Sequence, residues 1–149
     1  MSKLKELSNR LGKLTPEVMR NKALSLVKDH EKEATNLNTD QLFQGEDSEG
    51  KSLPEYSDRS VTVFGKPSGP WRLFDSGDFY RGFFVRVEDR KVIFDSRDSK
   101  TGMILQALDF KGHDEPTDIF GLQKQNLTDL VKSHVLPDLQ KFVGDTIKG

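Results

Sequence analysis

The chain has 149 residues, enough for one domain, and its charges nearly cancel: 23 Lys and Arg against 24 Asp and Glu. Hydrophobic residues make up 34% and charged ones 32%; Leu, Ile, Val and Phe supply 41 residues, enough to fold but thin for a core of this length. The balance of charge argues against a general nucleic-acid binder, which needs a clustered basic surface. The absence of cysteine excludes disulfides, thiol nucleophiles and cysteine zinc sites. No stretch approaches the roughly 20 apolar residues of a membrane span, and the N-terminus MSKLKELSNRLGKL lacks the apolar core of a signal peptide. These features point to a reducing cytoplasm, or to export by something other than a signal of the chain's own.

Residues 1–35 form a helical arm in this reading, followed by a single α+β domain over 36–149. Leu4, Leu7, Leu11, Leu14 and Val18 recur at helical steps and make a narrow apolar seam. Thr15-Pro16-Glu17 interrupts it with a helix start: a capping hydroxyl, a proline in the first turn and an acid beside it. A second helix then carries Val18, Met19, Ala23, Leu24, Leu26 and Val27 through the charged Lys28–Glu33 stretch towards Ala34. Two readings of the seam stay open: it packs on the protein's own sheet, or on a neighbouring subunit.

From Asn36 to Ser60 the sequence turns polar, with Leu37, Leu42, Phe43, Leu53 and Tyr56 as isolated anchors. That predicts a long connection of the kind that carries function or partner contact. Ser60–Phe64 reads as a short strand and Gly65–Pro70 as a turn. Trp71–Phe74 leads into the turn Asp75-Ser76-Gly77-Asp78, where Gly77 permits a positive φ. Phe79–Glu88 and Lys91–Ser96 predict an antiparallel hairpin turning at Glu88-Asp89-Arg90, since Phe83, Val85 and Val87 alternate with Phe84, Arg86 and Glu88. Thr101–Phe110 has the pattern of a short helix. Leu122–Ile147 predicts a C-terminal helix that Pro137 kinks near His134–Leu136. The expected class is α+β: a helical N-terminal arm, a small antiparallel sheet and a kinked C-terminal helix.

One segment formally matches a phosphate-binding loop. Gly45-Glu46-Asp47-Ser48-Glu49-Gly50-Lys51-Ser52 fits G-x-x-x-x-G-K-S/T, and Val92-Ile93-Phe94-Asp95 resembles the strand and aspartate that follow in such enzymes. Its context argues against that use. No β pattern precedes it, Pro54 follows closely, and Glu46, Asp47 and Glu49 would face the phosphates with negative charge. A calcium loop through Asp47, Glu49 and Gly50 lacks an oxygen ligand at Gly45 and flanking helices. His30, His113 and His134 have no metal-ligand spacing to one another. No paired carboxylates stand out, so neither catalysis nor a cofactor is expected.

The ordered landmarks after these segments resemble a known family. Gly45, Gly50, Leu53, Tyr56 and Ser57 match a loop of the form G…G-x-x-L-x-x-Y-S. Leu73, Asp75, Ser76, Gly77 and Phe79 match L-x-D-T/S-G-x-L/F entering a strand. Ile119, Phe120, Gly121 and Leu122 match the Ile/Phe–Phe/Leu–Gly–Leu step that opens the last helix. Over about residues 36–147 the chain is similar to the Mu-like phage virion-morphogenesis and tail-completion proteins, as found in phages and prophages of Bacteroides-type hosts. It departs from them across Ser96–Asp118, which carries no alanine-rich stretch and no R-P-F step.

The resemblance implies a non-enzymatic structural protein of a bacteriophage virion, assembled in the bacterial host cytoplasm. It implies a homo-oligomeric ring at the neck or tail junction. The expected partners are copies of itself and other neck, tail or portal proteins, with DNA only as cargo through a channel and no membrane. The candidate subunit contacts are Leu4, Leu7 and Leu11 on the arm, Leu53 and Tyr56 in the polar loop, and Trp71, Asp75, Gly77 and Phe79 around the second landmark. The alternative is a cytoplasmic adaptor that binds a partner through the N-terminal helices. A ring subunit buries surface against its neighbours, so a thin private core suits the first reading.

Overall fold

Capping side chains set the first two helices. The computed structural model describes residues 2–110 and 118–149. Ser2 caps α1 (Lys3–Gly12), its hydroxyl accepting the Lys5 amide at 3.2 Å. Thr15 caps α2 (Pro16–Asp29) in the same way, accepting the Val18 amide at 3.1 Å with Pro16 in the first turn, as the sequence predicts. The helix does not continue through the charged stretch. His30 leaves helical geometry at φ −99° and ψ 32°, and a separate helix, α3 (Glu31–Phe43), follows.

α3 corrects the polar connection expected from Asn36: the chain is helical as far as Phe43, and the division between residues 35 and 36 falls inside this helix. Ala34, Thr35, Asn38, Gln41 and Leu42 are all buried. The reason lies in where the polar groups go. The Asn38 amide donates to the Ile119 carbonyl at 2.9 Å, and its oxygen accepts the Gly121 amide at 2.8 Å. Gln41 donates to the Gly121 carbonyl at 3.0 Å and accepts from the Gln123 amide and from Asn126, each at 2.8 Å. These two side chains satisfy the irregular backbone that enters the last helix, which lets that segment be buried.

The strand expected at Ser60–Phe64 is also corrected. Ser57 accepts the Ser60 amide at 3.1 Å and caps a short helix, α4 (Asp58–Thr62), leaving Val63 and Phe64 exposed. A second short helix, α5 (Asp78–Arg81), takes the start of the expected first strand. The hairpin itself is present. β1 (Phe83–Glu88) pairs antiparallel with β2 (Lys91–Ser96), in a register running from Phe83 opposite Ser96 to Glu88 opposite Lys91. Asp89 and Arg90 make the two-residue turn with φ of 50° and 63°, the left-handed pair that matches the twist of a hairpin.

α6 (Thr101–Phe110) forms as expected. The C-terminal helix starts at α7 (Lys124–Leu130), passes through a π turn at Val131–Val135 and continues as α8 (Leu136–Lys148). In the π turn the Leu136 amide donates to the Val131 carbonyl five residues back. The widened turn lies just before Pro137, whose ring lacks an N–H and crowds the preceding turn, so the kink falls where the sequence places it.

The protein is therefore α+β. One apolar cluster joins Leu42, Leu53, Phe79, Phe83, Leu108 and Ile119; a second joins Ala34, Val85 and Leu130 between α3, β1 and α7. Among the described residues, eleven hydrophobic side chains are buried while fourteen large ones are exposed, so the private core is as thin as the composition suggests. No described helix is long and apolar enough to cross a membrane.

Candidate functional site

The loop with the phosphate-binding pattern folds around its own aspartate. Asp47 is buried, and its Oδ1 accepts the amides of Glu49 at 2.9 Å and Lys51 at 2.8 Å. Its own amide donates to the Lys51 carbonyl at 2.8 Å. Backbone donors that a phosphate loop would offer to an anion are thus taken by an internal carboxylate. No helix begins at Ser52 either; the next one is α4. Gln123 holds the loop from the other side, donating to Glu46 at 3.0 Å and to the Asp47 carbonyl at 3.1 Å. Gly45 is required here. Its φ is 80°, and a Cβ would lie 2.4 Å from Pro70 Cγ.

Two chain segments then pair across the loop. The Tyr56 amide donates to the Gly69 carbonyl at 2.9 Å, and the Trp71 amide donates to the Pro54 carbonyl at 2.7 Å. This pairing brings Tyr56 and Trp71 side by side, with ring centroids 6.3 Å apart. A cleft of about 240 Å³ opens beside them, and Tyr56, Trp71, Asp75, Gly77 and Phe79 all line it. Five of the nine contact candidates therefore meet at one place. Leu53 and Phe79 are both buried in the first apolar cluster, and Phe79 also forms part of the cleft wall.

The turn at the cleft mouth is built as the sequence predicts, with Gly77 at φ 87° just before α5. A Cβ there would sit 2.8 Å from Arg81 and 3.2 Å from Phe74. Ser76 donates to Asp78 at 2.9 Å and Arg81 pairs with the other carboxylate oxygen; these two hold the Asp78 carboxyl below the usual carboxylate range. Lys66 reaches Asp75 at 3.4 Å. The Tyr80 hydroxyl donates to the Arg72 carbonyl, while burial and then the nearby Tyr56 push its phenol well above the ordinary value. Tyr80 thus stays a neutral donor that fixes the Arg72–Phe74 segment. Aromatic contacts run outward from Phe83 through Tyr80 and Phe74 to the exposed Phe43. The cleft offers apolar faces and a charged rim, the composition of a contact surface.

The arm behaves differently. α1 has no buried residue; Leu4, Leu7 and Leu11 are 77%, 37% and 47% exposed. Its anchor is polar. Arg10 donates to the Ile147 and Lys148 carbonyls at 3.1 and 3.0 Å, closing the C-terminal end of α8. Leu4, Leu7 and Leu11 face solvent, while Leu14 is half-buried.

Side chains of α2 and α3 seal one edge of the sheet. Lys28 donates to the Val85 carbonyl at 2.5 Å, and Glu31 accepts the Val85 amide at 2.7 Å, while the two side chains pair at 2.5 Å. Partial burial pushes the Glu31 carboxyl up, but the hydrogen bonds from Lys28 and Val85 outweigh it and leave it below the ordinary carboxylate range. Since Val85 turns its N–H and C=O outward, its partner Phe94 turns its own to the opposite edge. Among the described residues β2 has β1 as its sole strand neighbour. Beside it lies a cleft of about 480 Å³ lined by Val27, Val92, Phe94, Leu122, Leu127 and Leu130.

The histidines were missed as a group. His113 lies outside the described residues, but His30 and His134, which share no spacing in the sequence, approach with ring centroids 5.0 Å apart. Compared with known proteins, the chain matches no family model, no curated protein and no solved structure.

Proposed function

We propose that the chain is a structural component of a bacteriophage virion: a homo-oligomeric ring subunit at the neck or tail junction, acting in tail completion or head–tail connection. The resemblance of its ordered landmarks to the Mu-like tail-completion proteins supplies the class. The observation that supports assembly is α1, whose leucine seam lies outside the protein's own core. A folded chain that keeps such a seam exposed buries it elsewhere, and in a ring the neighbouring surface belongs to another copy. The aromatic cleft and the edge of β2 provide further contact surface, the latter suited to adding a neighbour's strand. On this reading the chain resides in the virion, meets other neck, tail or portal proteins, and lets DNA pass as cargo.

Mass spectrometry of purified particles from the phage or prophage that encodes the chain tests the proposal. The expected result is the chain present in several copies per particle. Its absence from intact particles overturns the virion reading. The exposed seam then favours the second reading, an adaptor that binds its partner through the N-terminal helices.

A further inference from the structure

His30 stands at the junction of α2 and α3, and His134 lies in the π turn before α8. Glu33 follows His30 by one helical turn, and Asp138 follows His134 by one. Folding brings the two pairs face to face. One ligand atom from each of His30, Glu33 and His134 lies within 4.8 Å of the other two. Asp138 completes the group from the far side, its Oδ2 at 2.8 Å from His30 Nε2.

We propose that His30, Glu33 and His134 form a zinc site, with Asp138 as the residue that orients His30. Two imidazoles and a carboxylate are a donor set suited to a divalent ion of borderline softness, and zinc takes such ligands in tetrahedral geometry. The Asp138 carboxylate holds the imidazole proton on Nε2. That leaves the Nδ1 lone pair facing Glu33, whose Oε2 is 3.9 Å away. Ligand atoms around a tetrahedral zinc stand about 3.3 Å apart, so the three side chains must draw in by up to about 1.5 Å. They have the freedom to do so, because Glu33 is exposed and both rings are half-buried.

Two further features suit an ion at this place. A cleft of about 300 Å³, lined by Glu33, Asp40, Asp129, Ser133 and His134 among others, reaches the cluster, so an ion has an entry path and a fourth position open to water. The π turn that carries His134 is a rare element found frequently at functional sites. A bound ion would tie the α2–α3 junction to the C-terminal helix, the element on which Arg10 anchors α1. The site is thus a cross-link that stiffens the support of the arm, and it stands independently of the virion reading.

The test is a calorimetric titration of zinc chloride into the full chain after chelator treatment. The expected result is one equivalent bound, at least tenfold more weakly by Glu33→Gln and by His134→Ala. Asp138→Asn should weaken binding about tenfold, the usual effect of losing a ligand's orienting partner. Glu33 is exposed, so its substitution keeps the fold, which circular dichroism checks. Cobalt in place of zinc should give the intense visible bands of a four-coordinate ion. Absence of binding overturns the proposal, as does binding that both Glu33→Gln and His134→Ala retain in full.

Discussion

α3 and α1 reverse each other. α3 is polar in sequence and lies deep in the protein; α1 carries the most regular apolar seam and buries nothing. Burial in this protein follows hydrogen-bond closure as much as hydrophobicity. Asn38 and Gln41 enter the interior because five backbone and side-chain groups around Ile119–Asn126 meet them. The leucines of α1 stay outside, while Arg10 ties that helix to the end of α8 through the Ile147 and Lys148 carbonyls. A core so closed leaves the apolar seam of α1 outside it.

The largest effect should come from breaking the polar closure. Asn38→Ala leaves the Ile119 carbonyl and the Gly121 amide without their partner. Each orphaned buried group costs about 1–3 kcal/mol, so urea unfolding should show a loss of about 3 kcal/mol or more. Gly45→Ala attacks the same region from the loop. It places a methyl against Pro70 at a positive φ, and the expected loss is about 2 kcal/mol by the same measurement.

A smaller effect concerns the sealed strand edge. The folded-state Glu31 carboxyl lies below its ordinary 4.5, so its contribution is present above that pH and is lost as pH falls through the lowered value. The Tm of Glu31→Gln should therefore fall below that of the wild type at neutral pH, with the gap closing in acid. Equal gaps at both pH values would remove the charge from the explanation of that edge.

The smallest effect on folding should come from α1. Replacing Leu4, Leu7 and Leu11 together by Ser should change unfolding free energy by no more than about 0.5 kcal/mol per site, as for exposed positions generally. The same variant should fail to enter particles. A large loss of stability would instead place the seam in the protein's own core and end the contrast with α3.

Legibility in the sequence follows the same divide. Local signals were readable: the Thr15-Pro16 cap, the alternation through Val85 and Val87, the turn at Gly77 and the break before Pro137 all depend on neighbours a few residues away. What depended on distant partners was not. Asn38 and Gln41 look like loop residues until the backbone of Gly121 is placed against them. Ser60–Phe64 reads as a strand, but β-branched residues make one only with a pairing edge, and the Ser57 cap makes a helix instead.

The candidate site divides likewise. Tyr56, Trp71 and Asp75 could be singled out from their motifs, yet only the pairing of residues 54–56 with 69–71 gathers them around one cleft. Leu53 and Phe79 sit in those motifs for packing reasons, which a motif does not reveal. His30 with Glu33 and His134 with Asp138 are each spaced one helical turn apart, a signal present in the sequence. Their meeting depends on how α8 returns beside the α2–α3 junction, which no spacing records.

The central claim is that the α1 seam is a contact between subunits in the particle. The chain contains no cysteine, so Leu4→Cys places a single thiol on the seam. Its reaction with a bulky maleimide should be measured in the isolated chain and in purified particles. Rapid labelling of the isolated chain and strong protection in the particle are expected. Equal labelling in both would contradict the claim.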